Sequence, residues 1–148
     1  AATLRGAQLV VVATPVAGLR STLQAVVTSG ERVTGVLWAC KGFEQGSAKL
    51  PHQVVSEVLP AEIPRGVLSG PSFAKEVAQG LPAAITLAAN DEGFAQAAAR
   101  CLHTTRLRLY FSTDVIGVEI GAAVKNVLAI AAALPMVLAW VTTHAQRY

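Results

Sequence analysis

The sequence predicts an α/β fold built on a largely parallel sheet with helices packed against it. Short apolar runs without alternation, such as Leu9–Ala13 and Val33–Ala39, are typical of strands buried on both faces of such a sheet. Between these runs, Leu19, Leu23 and Val26 recur at helical spacing. Strands that alternate with helices in this way are the pattern of βαβ units.

The other elements follow from the same periodicities, and capping or helix-stopping residues set their limits. They are, in chain order, a short helix through Val54 and Leu59 that stops at Pro60, a strand at Val67–Ser69, a helix from Ser72 to about Gln79, a strand at Ala83–Ala89, a helix capped by Asp91 that runs through Leu102, a strand at Leu107–Phe111, and a long helix that begins near Asp114–Gly117 and runs at least to Ala132.

Composition limits the class of protein. The 148 residues suit one domain with a real core, and 53% are apolar while only 14% are charged, against a usual charged share of about 25%. We therefore expect some faces to pack against protein outside this chain. The net charge of +3 is mild and the Lys and Arg residues are scattered, which argues against nucleic-acid binding because that function usually needs a clustered basic patch.

Cysteine spacing and hydropathy bear on the compartment. Cys40 and Cys101 lack metal-ligand or disulfide-framework spacing, so a reducing cytoplasm is expected.

The stretch Val127–Val141 is wholly apolar and contains Pro135. This stretch of 15 residues is shorter than the roughly 20 residues that a helix needs to cross a bilayer. A buried helix is favoured over a membrane span, with a membrane-anchored protein left as an alternative.

Three segments carry chemistry. In the first, Gly70 and Pro71 can turn a strand end into a helix start, and Ser72 adds a hydroxyl to the free N–H groups there. In the second, Lys41 follows a buried strand, at the edge where open α/β sheets bind ligands. Taken alone, an ordinary capped turn is the favoured explanation of the first segment, and an ordinary solvated lysine is the favoured explanation of the second.

The third segment is the long apolar helix, which we expect to be buried all round. It contains Glu119, Lys125 and Asn126, and no acid lies three or four residues from Lys125. A lysine without a local partner in a buried helix is energetically expensive, which favours a functional role. The alternative is a lysine whose stem lies along the core while its head reaches water.

Taken in order, these segments resemble the NAD(P)-dependent glycerol-3-phosphate dehydrogenase family. Members of that family show Lys-Gly after a strand, Ser-Gly-Pro-Ser-Phe-Ala-x-Glu-Val, Gly-Leu-Pro, a Tyr, Asp-x-x-Gly-x-Glu and a Lys-Asn helix. These motifs stand here as Lys41-Gly42, Ser69–Val77, Gly80–Pro82, Tyr110, Asp114–Glu119 and Lys125-Asn126. The resemblance covers roughly Leu9–Ala132, most of the chain.

The resemblance implies a role for each matching residue. Lys125 matches the catalytic lysine, which works at the substrate carbonyl, and Lys41 matches a lysine near both the nicotinamide cofactor and the substrate. The substrate-contacting positions correspond to Gly70 and Ser72, with Asn126 as a further candidate, and Ala74 matches a cofactor contact. No metal site is implied.

The implied activity is the reversible reduction of dihydroxyacetone phosphate to sn-glycerol 3-phosphate with NADH or NADPH, which supplies a glycerophospholipid precursor. The expected fold is therefore a partial Rossmann-like parallel sheet with flanking helices, followed by the first helix of an all-α substrate domain. A homo-oligomer is possible. The residue that selects NADH or NADPH has no counterpart in this sequence.

Two departures from the family shape the expected domain organisation. A Gly-x-Gly-x-x-Gly loop is absent, so residues 1–113 are interpreted as the second part of an NAD(P)-binding Rossmann domain and residues 114–132 as the start of the helical substrate domain. In a shifted frame, one permitted set of codons for residues 134–148 encodes a Gly-rich turn and Asn-x-Arg, as the family does. We therefore interpret residues 133–148 as a frameshifted tail, and we expect this chain alone to be inactive and prone to associate.

Other readings remain open from the sequence. One is another reductase with the 6-phosphogluconate-dehydrogenase plan, such as a ketopantoate or hydroxyacid reductase, although the Ser69–Val77 segment fits it less well. A different class is a non-catalytic interaction module that pairs through its apolar C-terminal helix. That reading gains from the low charge but does not explain why Lys41, Ser72 and Lys125 occur together.

Overall fold

Strands and helices alternate along the chain. The computed structural model describes the backbone of residues 4–70 and 74–145 and leaves undescribed the side chains of Ala74, Asn126, Ala129, Leu134 and residues 136–145. Its elements are β1 (Leu9–Val12), a single 3-10 turn (Val16–Gly18), α1 (Leu19–Thr28), β2 (Gly35–Trp38), α2 (Pro51–Val58), β3 (Arg65–Ser69), α3 (Ala74–Ala78), β4 (Ala83–Ala89), α4 (Glu92–Leu102), β5 (Leu107–Ser112) and α5 (Val115–Ala145). The predicted α/β class is confirmed, while the predicted helix start at Ser72 lies outside the described residues.

The five strands form one sheet in the order β1-β2-β3-β4-β5. β1, β2 and β3 run parallel, and β4 and β5 are parallel to each other. β4 runs antiparallel to β3, with Leu68 opposite Leu87. The apolar pattern predicted a mostly parallel sheet and could not show this reversal, because apolar runs do not reveal the direction of a strand.

Helices cover both faces of the sheet. On one face α1, α2 and the start of α5 pack against the strands through the larger core cluster, which consists of Val12, Leu19, Leu23, Val36, Trp38, Cys40, Val54, Val55, Leu59, Val67, Ala88 and Val115. On the other face α4 packs Ala95 and Ala98 against Leu37, Leu87 and Ala89. The two strands that lead to predicted site residues, β2 and β3, are thus held between packed layers.

Aspartates begin the two helices that flank β5. Asp91 accepts a hydrogen bond from the backbone N–H of Phe94 at 2.6 Å, which confirms the predicted cap of α4. Asp114 does the same for α5, accepting from Gly117 N–H at 2.8 Å. A Cβ at Gly117 would lie 2.1 Å from the Asp114 carboxylate, so the Asp-x-x-Gly spacing lets the cap close over a residue without a side chain.

The expectation that α5 is buried all round is wrong for this chain. Among the side chains of the helix that the structure describes, Val115 and Glu119 are buried, but five large apolar ones are exposed, namely Ile116, Ile120, Val127, Leu128 and Ile130. The described part of the helix packs mainly against β3, β4 and α2 on one sheet face, and its exposed apolar side chains lie on the side away from these elements. This exposed apolar surface agrees with the low charged fraction of the sequence.

The long apolar helix α5 raises the question of whether it could span a membrane. Within the described ranges, none of the helices combines the length and the hydropathy that crossing a bilayer requires.

Candidate active site at the carboxyl edge of the sheet

Two neighbouring parallel strands end side by side at the edge where the predicted site residues lie. Lys41 follows β2 and Gly70 follows β3. The ammonium of Lys41 donates a hydrogen bond to the carbonyl oxygen of Gly70 at 3.3 Å. Because parallel strands end at the same edge of a sheet, residues from two distant sequence motifs meet here, as expected for a ligand site in an open α/β sheet.

Lys125 of α5 joins these residues. Burial lowers the pKa of Lys41 below its usual 10.5, and the nearby positive charge of Lys125 lowers it further. Both lysines are partly buried, and among the described residues neither forms an ion pair with a carboxylate. Two cationic groups held together without a counter-charge form a place where an anionic or electron-rich oxygen is stabilised.

Gly70 lies in close contact with the neighbouring strand. A Cβ on Gly70 would lie 2.7 Å from the carbonyl oxygen of Ala84 and 3.1 Å from the Cα of Ile85. These neighbours are backbone atoms of β4, which cannot move aside easily. The absence of a side chain therefore brings the β3 end against β4 and places the Gly70 carbonyl within reach of Lys41.

The other predicted site residues are only partly covered by the structure. Ser72 lies outside the described residues. Ala74 is the first residue of α3, and Asn126 follows Lys125 in α5; the side chains of both are outside the described set. Of the six predicted positions, the structure therefore brings together Lys41, Gly70 and Lys125.

The loop that carries Lys41 is tied to α1 by ionic hydrogen bonds. Arg20 donates from Nε and Nη2 to the two carboxylate oxygens of Glu44, each at 2.8 Å, and from Nη2 to Glu57 at 2.8 Å. The hydroxyl of Ser47 donates to Glu44 at 2.6 Å. Planar two-point binding of a carboxylate by arginine fixes orientation as well as distance, so the loop after β2 is held in one position.

This ion pair predicts an acid dependence of stability. The hydrogen bonds from Arg20, and then the one from Ser47, lower the pKa of Glu44 from 4.5 to about 2. A carboxyl group with a depressed folded-state pKa stabilises the fold fully above its unfolded pKa, and that stabilisation is lost as pH falls toward the folded value. Between pH 4.5 and 2 we expect urea midpoints to fall more steeply for the parent chain than for Glu44→Gln, and equal slopes would contradict the assignment.

A buried carboxylate on α5 was noted in the sequence, but its partners were not predicted. Glu119 is 3% exposed. Its Oε1 accepts from the indole N–H of Trp38 at 2.8 Å and from the backbone N–H of His52 at 2.9 Å, and the ring Nδ1 of His52 lies 2.6 Å from Oε2. Trp38 and His52 carried no sequence signal for this role, because each fits an ordinary strand or helix position and is far from Glu119 along the chain.

Cys40 is not a nucleophile in this arrangement. Its side chain is buried, and burial, followed by the negative charge of Glu119, raises the pKa of the thiol to about 11. A thiol with a raised pKa stays protonated and unreactive near neutral pH. The chemistry of this edge therefore depends on the lysines.

The fold and site together define a Rossmann-like domain whose ligand edge presents paired lysines. The family model described as NAD-dependent glycerol-3-phosphate dehydrogenase N-terminus matches residues 1–95 of the chain. The chain therefore belongs to the NAD-dependent glycerol-3-phosphate dehydrogenase family.

Individual relatives agree with this assignment. A glycerol-3-phosphate dehydrogenase (NAD(P)+) from Dechloromonas aromatica is 64% identical over 126 residues, which are 85% of this chain and 38% of the relative. One from Nitrosomonas europaea is 62% identical over 131 residues, 88% of this chain and 40% of the relative. A crystal structure of glycerol-3-phosphate dehydrogenase from Coxiella burnetii superposes with a TM-score of 0.77 at 38% identity, over 88% of this chain and 39% of that one. The chain thus spans about two fifths of the length of these relatives.

Proposed function

We propose that this chain carries the lysine site of a glycerol-3-phosphate dehydrogenase, which reversibly reduces dihydroxyacetone phosphate to sn-glycerol 3-phosphate with NADH or NADPH. The observation that carries the proposal is the position of Lys41 at the carboxyl edge of the sheet, where its ammonium donates to the Gly70 carbonyl oxygen at 3.3 Å. Burial, and then the nearby positive charge of Lys125, lower the pKa of this lysine. The names of the Dechloromonas and Nitrosomonas relatives support the substrate and cofactor classes. Such an activity would supply a precursor of glycerophospholipids.

Lys125 is the catalytic residue of this proposal. When bound, the nicotinamide cofactor supplies the hydride that reduces the carbonyl carbon. As the carbon–oxygen π bond breaks, its electron pair moves to the oxygen, and the ammonium of Lys125 stabilises that charge and donates the proton that completes the alcohol. In the reverse direction the neutral amine of Lys125 accepts the same proton.

Lys41 and Gly70 hold the substrate in this mechanism, with Ser72 and Asn126 as further proposed contacts. The ammonium of Lys41 is oriented by its hydrogen bond to Gly70, so its remaining N–H groups can donate to an oxygen of the substrate. Lys41 also serves the cofactor side of the site, together with Ala74. A phosphorylated ligand would find two positive charges here, because Lys41 and Lys125 are close to each other and neither pairs with a carboxylate among the described residues.

Location and assembly belong to the same proposal. Cys101 is a free, exposed thiol, which supports a reducing cytoplasmic location. The exposed apolar side chains of α5, including Val127, Leu128 and Ile130, support packing against further protein, either the remainder of a longer chain or a second copy.

A second candidate function is an interaction module that pairs through α5. The same exposed side chains of α5 favour it. It leaves the contact of Lys41 with Gly70 and Lys125 without a purpose, and so we place it second.

A chimaera tests the proposed function. The 126-residue segment that matches the Dechloromonas aromatica relative would replace its counterpart in that enzyme, which restores every other part of the protein. We expect the chimaera to oxidise NADH or NADPH in the presence of dihydroxyacetone phosphate. A folded chimaera that binds cofactor but shows no such oxidation would refute the proposal, and the unmodified relative is the matched control.

A further inference from the structure

The carboxylate of Glu119 joins three elements of the fold. It receives hydrogen bonds from Trp38 at the end of β2 and from the backbone and ring of His52 at the start of α2. The backbone N–H of His52 is one of the free donors in the first turn of α2, where a negative charge is favoured. We refer to Trp38, His52 and Glu119 as the clasp.

The start of α5 is also held by apolar contacts, because Val115 belongs to the main core cluster and Val118 packs against it. Among the residues of α5 whose side chains are described, Val115 and Glu119 are buried, while Ile116 and Ile120 on the neighbouring faces are exposed. Apolar contacts are non-directional and would tolerate sliding or rolling of such a helix. The hydrogen bonds of the clasp are directional, since they weaken steeply when their angles change.

The same helix carries Lys125. Lys125 lies six residues beyond Glu119, about 9 Å further along the helix axis at 1.5 Å per residue. A roll of α5 by one residue position would turn its side chains by about 100° and carry Lys125 away from Lys41. The position of the lysine pair therefore depends on how α5 is held at Glu119.

We propose that Glu119 is a positioning residue, which binds Trp38 and His52 and thereby sets the rotation and height of α5 so that Lys125 lies beside Lys41. This proposal rests on the proposed function in one respect: that function is what gives the lysine pair its catalytic use. The geometry of the clasp itself requires no substrate or cofactor.

The test follows the titration of the Lys41 side chain by NMR in the 148-residue chain with isotope-labelled lysine. Lys125→Met defines the full effect of losing the neighbour, and it should raise the Lys41 pKa toward, but not to, its usual 10.5, because burial remains. Glu119→Leu should raise the Lys41 pKa by at least half of that amount. Glu119→Gln should stay nearer the parent value, because its amide oxygen can still accept from both N–H groups.

Two further variants separate positioning from general loss of stability. Leu23→Ala removes a fully buried side chain of α1 and should leave the Lys41 titration unchanged. The indole proton of Trp38 reports whether its hydrogen bond to Glu119 is broken. If Glu119→Leu fails to fold, Trp38→Phe removes one donor of the clasp and should still raise the Lys41 pKa measurably.

The outcomes decide the proposal. An unchanged Lys41 pKa in folded Glu119→Leu or in Trp38→Phe, with a changed environment at Trp38 or His52, would overturn it, and so would an equal shift in Leu23→Ala. A rise confined to the clasp variants and Lys125→Met would support it. Since the titration contains no substrate, an inactive chimaera would refute the proposed function while leaving this result standing.

Discussion

Replacing Lys125 with alanine in the chimaera is expected to lower kcat about 100- to 10,000-fold, the usual contribution of a positioned general acid. Lys125 is close enough to Lys41 for its positive charge to lower the pKa of Lys41, and in the proposed mechanism it acts on the substrate carbonyl oxygen. Its ammonium acts most strongly on the charge that develops during reduction, so the loss should fall on kcat more than on KM.

The control is a cation on the opposite face of the sheet. Arg100 is exposed on α4, so Arg100→Ala should leave turnover unchanged. Near-parental turnover of Lys125→Ala would exclude Lys125 as the proton donor. Both variants would be compared by steady-state oxidation of NADH or NADPH with dihydroxyacetone phosphate.

The largest effect on stability is expected from Trp38→Ala, which should lower the free energy of unfolding by about 3–5 kcal/mol. Trp38 is 1% exposed and heads the set of large, fully buried side chains. Its loss opens a cavity in the core below α2 and α5. It also leaves the buried carboxylate of Glu119 without one of its three donors.

Urea denaturation followed by circular dichroism measures this loss. The matched control is Phe43→Ala, which removes an aromatic ring that is 54% exposed and should change the unfolding free energy by less than about 0.5 kcal/mol. Equal losses in the two variants would show that Trp38 is not part of the main core.

Elements whose periodicity is local were predictable from the sequence. β4 was predicted at its observed bounds, Ala83–Ala89, and α4 was predicted from the Asp91 cap to Leu102. β2 is shorter than its apolar run, because only Gly35–Trp38 pairs with the neighbouring strands. The direction of β4 was not predictable, since alternation and apolar runs give no information about which way a strand runs.

The site also has features that the sequence predicts and features that it does not. The positions of Lys41 and Gly70 after strand ends follow from sequence, because the edge reached by each strand end is fixed by topology. Their contact with Lys125, and the role of Trp38 and His52 in holding Glu119, depend on how α5 crosses the sheet. No local pattern encodes that crossing, and the apolar composition of α5 even suggested full burial where the structure shows an exposed face.

The measurement that tests the account most directly is a double-mutant cycle of Lys41→Met and Lys125→Met in the chimaera. If Lys41 holds the same substrate on which Lys125 acts, their effects on kcat/KM should be coupled. The double variant is then expected to lose at least tenfold less activity than the product of the two single losses. Losses that multiply independently would contradict a shared site for the two lysines.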